Sequence, residues 1–224
     1  MKNIIVVKGI TKKFINGKII TEVLKGIDIE IKEGEFVSIM GRSGAGKSTL
    51  MYQMSLLDEP TSGEIIVDGV DVLKLTNKEK TLFRLNHLGY VFQDYALVPE
   101  LTAIENVSLP LLVRGMSTID AFKQSEKVLS KLGLEEQVNN LPSQLSGGEQ
   151  QRVSIARSIV DEPKIIFTDE PTANLDGESA RIVIDILKDL NKKGQTIVMV
   201  THEEEYGNET DRIIWLRDGK IDTE

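Results

Sequence analysis

The sequence predicts an α/β fold, in which strands alternate with helices. Apolar strand-like runs at 36–40, 164–168 and 196–201 are separated by segments of helical periodicity, a pattern typical of this fold class. A glycine-rich loop follows the first of these strands and precedes a helix. In that order, backbone N–H groups surround an anion at the positive end of a helix. We therefore expect an α/β nucleotide-binding core.

The composition of the chain restricts its domain organisation and the classes of function that it can have. The chain has 224 residues with 40% hydrophobic and 28% charged residues, so it can form one large domain or a core with an inserted subdomain. Its net charge of −8 argues against nucleic-acid binding, which requires clustered Lys and Arg. The absence of cysteine excludes disulfides and thiolate metal sites and is compatible with a reducing cytosol. We expect no signal peptide and no membrane span, so any membrane role should act through a separate protein.

The loop itself is Gly41–Ser48, with the sequence GRSGAGKS. It matches the phosphate-binding pattern G-x-x-x-x-G-K-[ST], in which Lys47 reaches the β- and γ-phosphates and the Ser48 hydroxyl ligates Mg²⁺. The alternative is a glycine-rich turn that only caps the following helix. We expect the apolar residues of that helix to form a buried stripe at i, i+4 and i+7; they are Leu50, Met54 and Leu57.

The N-terminal elements follow from residue alternation and turn residues. Strands are predicted at 4–8 and 22–32, and the lone aromatic Phe14 falls in a polar loop between them. Such a residue either packs against a neighbour or contacts a ligand. Further along, the sequence predicts a strand at 64–67, a helix at 76–85 and a short strand at 89–92 that ends on Gln93.

A helical stretch then precedes the next strand. We expect one helix to begin near Thr102, between Pro99 and Pro110, and a second to cover 118–132 and end at Gly133. Together these helices indicate an inserted subdomain from about residue 94 to residue 160.

The segment Leu145–Glu149, with the sequence LSGGE, introduces another helix. Ser146 and Glu149 have the spacing of a capping box. A cap does not explain the paired glycines, each of which costs about 1 kcal/mol relative to alanine in a helix. We therefore expect exposed backbone N–H groups there to bind an anion.

The strand at 164–168 ends on Asp169 and Glu170. The carboxyl end of a strand in an α/β sheet is where ligands bind, which favours a catalytic pair over the start of a loop. Asp169 would hold Mg²⁺ directly or through water, and Glu170 would orient and deprotonate the attacking water.

The C-terminal part contains a helix, a strand and a hairpin. The helix is predicted at 178–190 with its end near Gly194, and the strand at 196–201 leads to His202. His202 is either a structural or a catalytic group. Asp218-Gly219 predicts a hairpin turn.

The motifs in this order resemble the ATP-binding subunit of an ABC transporter. The resemblance covers about residues 4–221 and rests, beyond the phosphate loop, on Gln93, Leu145–Glu149, Ile165–Glu170, Ala173–Asp176 and His202. It implies a single domain over 1–224 with a P-loop NTPase (RecA-like) core and an antiparallel β subdomain at 1–93 and 161–224. The inserted α-helical subdomain would occupy 94–160.

The resemblance also implies an ATPase site. Catalytic roles fall to Glu170, His202, Gln93 and Lys47, and Mg²⁺ would be held by Ser48, Gln93 and Asp169. Asp176 would communicate across a dimer. The implied ATP-binding residues are Phe14, which would stack on adenine, Gly41, Arg42, Ser43, Gly44, Ala45, Gly46, Lys47, Ser48, Thr49 and Gln93, with Ser146, Gly147, Gly148 and Glu149 acting in trans. The sequence departs from the commoner family pattern at three positions: Phe14 replaces tyrosine, Glu149 replaces glutamine, and Thr168 lies in a usually apolar strand.

A finer resemblance lies in residues 92–110, which are similar to the lipoprotein-releasing, macrolide-exporting and peptide-antibiotic-resistance branch. The family resemblance as a whole implies a homodimer that forms on ATP binding, at the cytoplasmic face of the cell membrane, on a separate integral membrane permease. The work done would be export, lipoprotein release or mechanotransmission. Tyr95, Leu97 and Val98 would contact the permease or pack within the subdomain.

Two other classes remain as alternatives. A soluble ABC ATPase of repair or translation usually has tandem cassettes or long insertions, which this chain lacks. A phosphate-loop kinase would need a pocket for an acceptor and gives no reason for the LSGGE segment.

Overall fold

The computed structural model describes residues 2–222, which form an α/β fold in two compact units. Among the described residues, the first unit comprises 2–84 and 191–222, and the second comprises 85–190. The predicted helical subdomain at 94–160 falls within the second unit, and its boundaries stay a prediction. Within residues 2–222 we find no helix that is long and apolar enough to span a membrane.

The elements alternate as the sequence predicts. In chain order they are β1 (Asn3–Asn16), β2 (Ile19–Lys32), β3 (Phe36–Met40), α1 (Lys47–Met54), β4 (Ser62–Val67), β5 (Val70–Asp71), α2 (Asn77–His87), β6 (Leu88–Val91), α3 (Ala103–Val113), α4 (Thr118–Lys131), α5 (Gly147–Ile159), β7 (Ile165–Asp169), α6 (Gly177–Lys192), β8 (Thr196–Val200), α7 (Glu204–Gly207), β9 (Arg212–Arg217) and β10 (Lys220–Ile221).

The first unit contains the predicted antiparallel β structure, in the strand order β2-β1-β4-β5. The predicted strands at 4–8 and 22–32 are in fact parts of two paired strands of 14 residues each. Phe14 therefore lies in a strand opposite Thr21, not in a loop. The loop prediction was wrong because the pairing of β1 with β2 supplies backbone hydrogen bonds to a stretch of weak apolar alternation.

The first unit also contains strands β10, β9, β3 and β8 in that order. β3 runs parallel to both β8 and β9, and all residues of β3 and β8 are buried. The predicted hairpin joins β9 to β10 through Asp218 and Gly219, with φ of 49° and 77°. β3 thus lies between β9 and β8, and Gly41 directly follows its carboxyl end.

The second unit pairs β6 with β7 in parallel and packs α3, α4 and α5 around an apolar cluster. Helix α4 begins after the cap Ser117 and ends before Gly133, at φ 69°, as predicted. Leu129 is fully buried in the cluster, and three partly buried apolar residues of the same stretch pack against it; they are Phe122, Val128 and Leu132.

Helix α3 begins after its cap Thr102, near the predicted start, but it does not stop before Pro110. Proline in a helix interior costs about 3 kcal/mol. The helix nevertheless reaches Val113, because Leu111 is fully buried in the apolar cluster and the N–H of Arg114 donates to the carbonyl of Pro110 at 3.2 Å. Burial of the Leu111 side chain outweighs the missing hydrogen bond.

Thr168 in β7 places a hydroxyl in the core. The residue is fully buried, and its Oγ1 has no hydrogen-bond partner among residues 2–222. A buried unsatisfied hydroxyl costs about 1–3 kcal/mol. Thr168→Val, which keeps the shape and removes the hydroxyl, is therefore expected to raise the free energy of unfolding by about 1 kcal/mol in urea denaturation.

Thr201→Val is the matched control. Thr201 is equally buried, but its Oγ1 accepts the N–H of Glu203 at 3.0 Å. The valine should lower the free energy of unfolding there, because it leaves that N–H without its acceptor. Equal losses in the two variants would contradict the assignment of an orphan hydroxyl to Thr168.

Candidate functional site

The predicted site residues are divided between the two units. Phe14, the phosphate loop and His202 belong to the first. The second unit holds Gln93, the LSGGE segment, the pair Asp169-Glu170 and Asp176.

The phosphate loop begins at Gly41, where no other residue fits. Its φ is 152°, and a Cβ there would lie 2.1 Å from the backbone oxygen of Leu216. The loop then turns through Gly44 and Gly46, also at positive φ, and α1 begins directly after it at Lys47. The strand, loop and helix of the predicted phosphate cradle are therefore present.

The side chain of Lys47 lies within this loop. It is only 7% exposed, and its Nζ donates to the carbonyl of Gly41 at 3.0 Å and to that of Arg42 at 3.4 Å. A cation at the N-terminus of a helix is unfavourable, because that end is itself positive. A bound phosphate would remove this conflict, whereas a turn that merely capped α1 gives no reason for it.

Phe14 and His202 are the other predicted residues of the first unit. The Phe14 ring is 48% exposed, with the Lys12 ammonium 5.0 Å from its centroid. A half-exposed ring of this kind can stack on a base. His202 follows β8 and is exposed, as expected for a residue at the carboxyl end of that strand.

Asp169 and Glu170 differ in their backbone. Asp169 is the last residue of β7 and is buried. Glu170 has a φ of 44°, in the left-handed region that costs about 1–2 kcal/mol for a residue with a Cβ. The N–H of Ala173 donates to the carbonyl of Glu170 at 3.2 Å. Strain of this kind persists only where surrounding contacts hold it, and it clusters at active sites.

The proposed ligands of Mg²⁺ fit its chemistry. Ser48, Gln93 and Asp169 offer a hydroxyl, an amide oxygen and a carboxylate. Mg²⁺ prefers oxygen ligands and is usually bound by one or two carboxylates together with waters and substrate phosphates. One buried carboxylate with neutral oxygen donors is a donor set of that type.

The LSGGE segment forms the capping box predicted for α5. The Ser146 hydroxyl accepts the Glu149 N–H at 3.3 Å, and Glu149 Oε2 accepts both the N–H and the hydroxyl of Ser146 at 2.8 Å. These bonds, first that from the backbone N–H, lower the pKa of Glu149. The carboxylate that replaces the commoner glutamine therefore stays ionised in the cap.

Close packing explains why both residues of this pair are glycine. A Cβ on Gly147 would lie 2.9 Å from the Tyr95 hydroxyl, and one on Gly148 would lie 2.7 Å from Ser179 Oγ. The sequence argument for an anion is thus not the only account of these two residues, because glycine also lets Tyr95 and α6 approach the helix.

The structure brings three predicted segments together in the second unit. Asn174 donates through Nδ2 to the carbonyl of Gln93 at 3.0 Å, and Tyr95, which touches the Gly147 position, has its hydroxyl 3.5 Å from the carbonyl of Asn174. Asp176 accepts the N–H and hydroxyl of Ser179 at 2.9 Å each, bonds that lower its pKa, the backbone N–H foremost. The Gln93, LSGGE and Asp176 segments are thus linked.

Two residues that hold the backbone near these segments were not identified from the sequence. Arg157 donates to the carbonyls of Tyr95 and Ala96 at 3.0 and 2.6 Å, and burial lowers its pKa. Both residues that it holds have positive φ, 63° and 48°. No local pattern indicates an arginine of this kind, since its partners lie about 60 residues away.

Asn106 organises the loop that leads into α3. It is fully buried, and its Oδ1 accepts the Val98 N–H at 2.8 Å. Its Nδ2 lies within 3.1 Å of the carbonyls of Val98, Leu101 and Thr102. One amide therefore accepts a backbone N–H and directs its two N–H groups at backbone carbonyls of a loop that has no regular structure.

The sequence matches known proteins along nearly its whole length. The family model described as ABC transporter matches residues 24–173. The chain is 49% identical to the lipoprotein-releasing system ATP-binding protein LolD of Aquifex aeolicus, over 94% of this chain and 92% of that protein. It is 44% identical to the macrolide export ATP-binding/permease protein MacB of Bdellovibrio bacteriovorus, over 97% of this chain but only 33% of that protein.

The structure also resembles a solved ATP-binding cassette. The dimeric structure of a post-hydrolysis state of the cassette MJ0796, bound to ADP and Pi, superposes with a TM-score of 0.91 at 42% identity. The match covers 97% of this chain and 96% of that one.

Proposed function

The chain belongs to the ABC transporter family and hydrolyses ATP, and on that premise we propose that it powers a separate membrane permease through ATP-dependent closure of a homodimer. The observation that carries the ATP site is the buried Lys47 ammonium at the N-terminus of α1. In this proposal the loop 41–49 binds the phosphates, and Phe14 stacks on adenine.

The remaining roles are assigned to the other motifs that the sequence shares in pattern with the family. Glu170 is the general base, and His202 and Gln93 contact the reacting phosphate and water. Mg²⁺, held by Ser48, Gln93 and Asp169, supplies positive charge to the phosphate oxygens when it is bound. Residues 146–149 of a second copy complete the site, and Asp176 communicates between copies. The dimeric state of the MJ0796 cassette supports this arrangement.

The names of two relatives support a permease partner. LolD is named as the ATP-binding protein of a lipoprotein-releasing system, and MacB as a combined ATP-binding and permease protein. The chain spans about one third of MacB. We therefore propose that the permease is a separate protein, that it holds this chain at the inner face of the membrane, and that it determines whether the work is export, lipoprotein release or mechanotransmission.

A pocket in the first unit is our candidate contact for that permease. It has a volume of about 230 Å³, and Gln53, Leu57 and Lys80 are among its lining residues. Gln53 is buried, yet neither its Nε2 nor its Oε1 has a hydrogen-bond partner among residues 2–222. Leu57, predicted to be buried, is instead 45% exposed. A cavity beside an exposed leucine suits a peptide segment whose apolar side chains can fill the cavity and cover the leucine.

The position of this pocket supports the coupling of ATP to the permease. Helix α1 has eight residues, so it is about 12 Å long. Lys47 lies at its first residue, and Gln53 lies in its last turn. A short helix with the phosphate site at one end and the pocket near the other can transmit movement between them as a rigid element.

We expect Leu57→Asp to weaken binding to the permease about tenfold or more, because it places an unpaired carboxylate in the contact. The chain would be co-expressed with its candidate permease, purified in detergent and assayed for complex formation and ATPase activity. The isolated variant should retain wild-type hydrolysis.

Leu82→Asp is the matched control, since Leu82 is 48% exposed on α2 and does not line the pocket. Wild-type complex formation in both variants would contradict the contact. A chain that neither binds the permease nor responds to it would instead favour the soluble ABC ATPase.

A further inference from the structure

Gln151 links the helix of the LSGGE segment to the strained glutamate of the same chain. It lies in α5, five residues after Ser146, and is fully buried. Its Nε2 donates to the carbonyl of Pro171 at 2.7 Å. Pro171 is buried and directly follows Glu170, so this bond holds the backbone at the residue next to the left-handed position.

The bond acts on the residue next to Glu170, in the turn that the Ala173 N–H also closes through the Glu170 carbonyl at 3.2 Å. Proline has no N–H to donate, and a proline also restricts the backbone of the residue before it. A buried carbonyl needs a hydrogen-bond donor. The amide of Gln151 is that donor for Pro171, and it thereby helps to hold Glu170 at its φ of 44°.

The amide oxygen of Gln151 indicates that a contribution to stability does not by itself explain why this side chain is buried here. Gln151 Oε1 is buried without a hydrogen-bond partner among residues 2–222. An unsatisfied buried acceptor costs about 1–3 kcal/mol. The side chain therefore keeps its bond to Pro171 at a cost to folding, which is typical of a group retained for the geometry of a functional site.

Helix α5 thus makes two connections. Its N-terminus carries Ser146–Gly148, and its second turn carries Gln151. We infer that Gln151 is the positioning residue through which contact of the LSGGE segment with the partner copy's ATP sets Glu170 in its own site. The inference rests on the proposed function, because it needs both the base role of Glu170 and the action of residues 146–149 in trans.

The test replaces Gln151 by methionine, which has a similar length and no donor. The full-length dimeric ATPase should show kcat lowered about 10- to 100-fold, since a small misplacement of a catalytic group costs this much. The KM for ATP and ATP-dependent dimerisation should stay at wild-type values. Gln151→Asn, which keeps the amide but withdraws it by one methylene, gives the same expectation if the methionine variant does not fold.

A double-mutant comparison separates positioning from general damage. Because Gln151 acts through Glu170, Gln151→Met should have no further effect on the rate in a Glu170→Gln background. Gln124→Met is the matched control: Gln124 on α4 donates in the same way to the carbonyl of Val160 at 2.6 Å, and its loss should lower stability without lowering kcat.

Two results would overturn the inference: a kcat within twofold of wild type in Gln151→Met, or an undiminished effect of Gln151→Met in the Glu170→Gln background. A wild-type rate in Glu170→Gln alone would instead contradict the base role of Glu170, which belongs to the proposed function. The two failures are therefore distinguishable.

Discussion

Glu170→Gln is expected to lower steady-state ATP hydrolysis by about 10²–10⁴-fold, the range for loss of a general base. The glutamine keeps the size of the side chain and the left-handed backbone but cannot take a proton from water. ATP binding, which uses the phosphate loop, should be unchanged. The dimer should therefore accumulate with ATP, and size-exclusion chromatography with Mg-ATP would detect it alongside the phosphate-release assay.

Glu162→Gln is the matched control for this variant. Glu162 is also a non-glycine residue with positive φ, at 49°, it belongs to the same unit, and it is exposed. Its change should leave the rate at the wild-type value. If Glu170→Gln hydrolysed ATP at the wild-type rate, Glu170 would not be the base.

Ser146→Arg is expected to abolish ATP-dependent dimerisation and, with it, hydrolysis. In the proposed dimer Ser146 approaches the nucleotide of the partner copy, and an arginine there is too large for that approach. Binding of ATP to the monomer should persist, since Lys47 and the phosphate loop belong to the first unit. A fluorescent nucleotide titration would measure binding, and light scattering with Mg-ATP would measure the dimer.

The substitution also removes a helix cap, which costs about 1 kcal/mol by itself. Ser117→Arg controls for that loss, because Ser117 caps α4 with the same geometry and accepts the Asp120 N–H at 3.2 Å. The control should lose stability and still dimerise. Normal dimerisation of Ser146→Arg would remove the LSGGE segment from the interface.

Local chemistry accounts for much of what could be predicted from the sequence. The phosphate loop, the Ser146 cap and the Asp218-Gly219 hairpin each depend on residues close together in the chain. The structure places all three as predicted. The family comparison likewise confirms the fold class and the ATPase activity.

The wrong predictions concern places where residues distant in the sequence determine the local structure. Phe14 was assigned to a loop because its own neighbours are polar, whereas the pairing with β2 makes it part of a strand. Helix α3 passes Pro110 because Leu111, which follows it, is buried against other helices. Gln151 could not be recognised, since its hydrogen-bond partner lies 20 residues away.

The amide of Asn106 has a consequence for how the loop before α3 meets a partner. Because this one fully buried side chain bonds Val98, Leu101 and Thr102, the loop cannot loosen residue by residue and opens only together with the start of the helix. Its conformational entropy is therefore already lost in the folded chain. A protein that contacts Leu97 and Val98 meets a preorganised surface, and no part of its binding free energy is spent on ordering that loop.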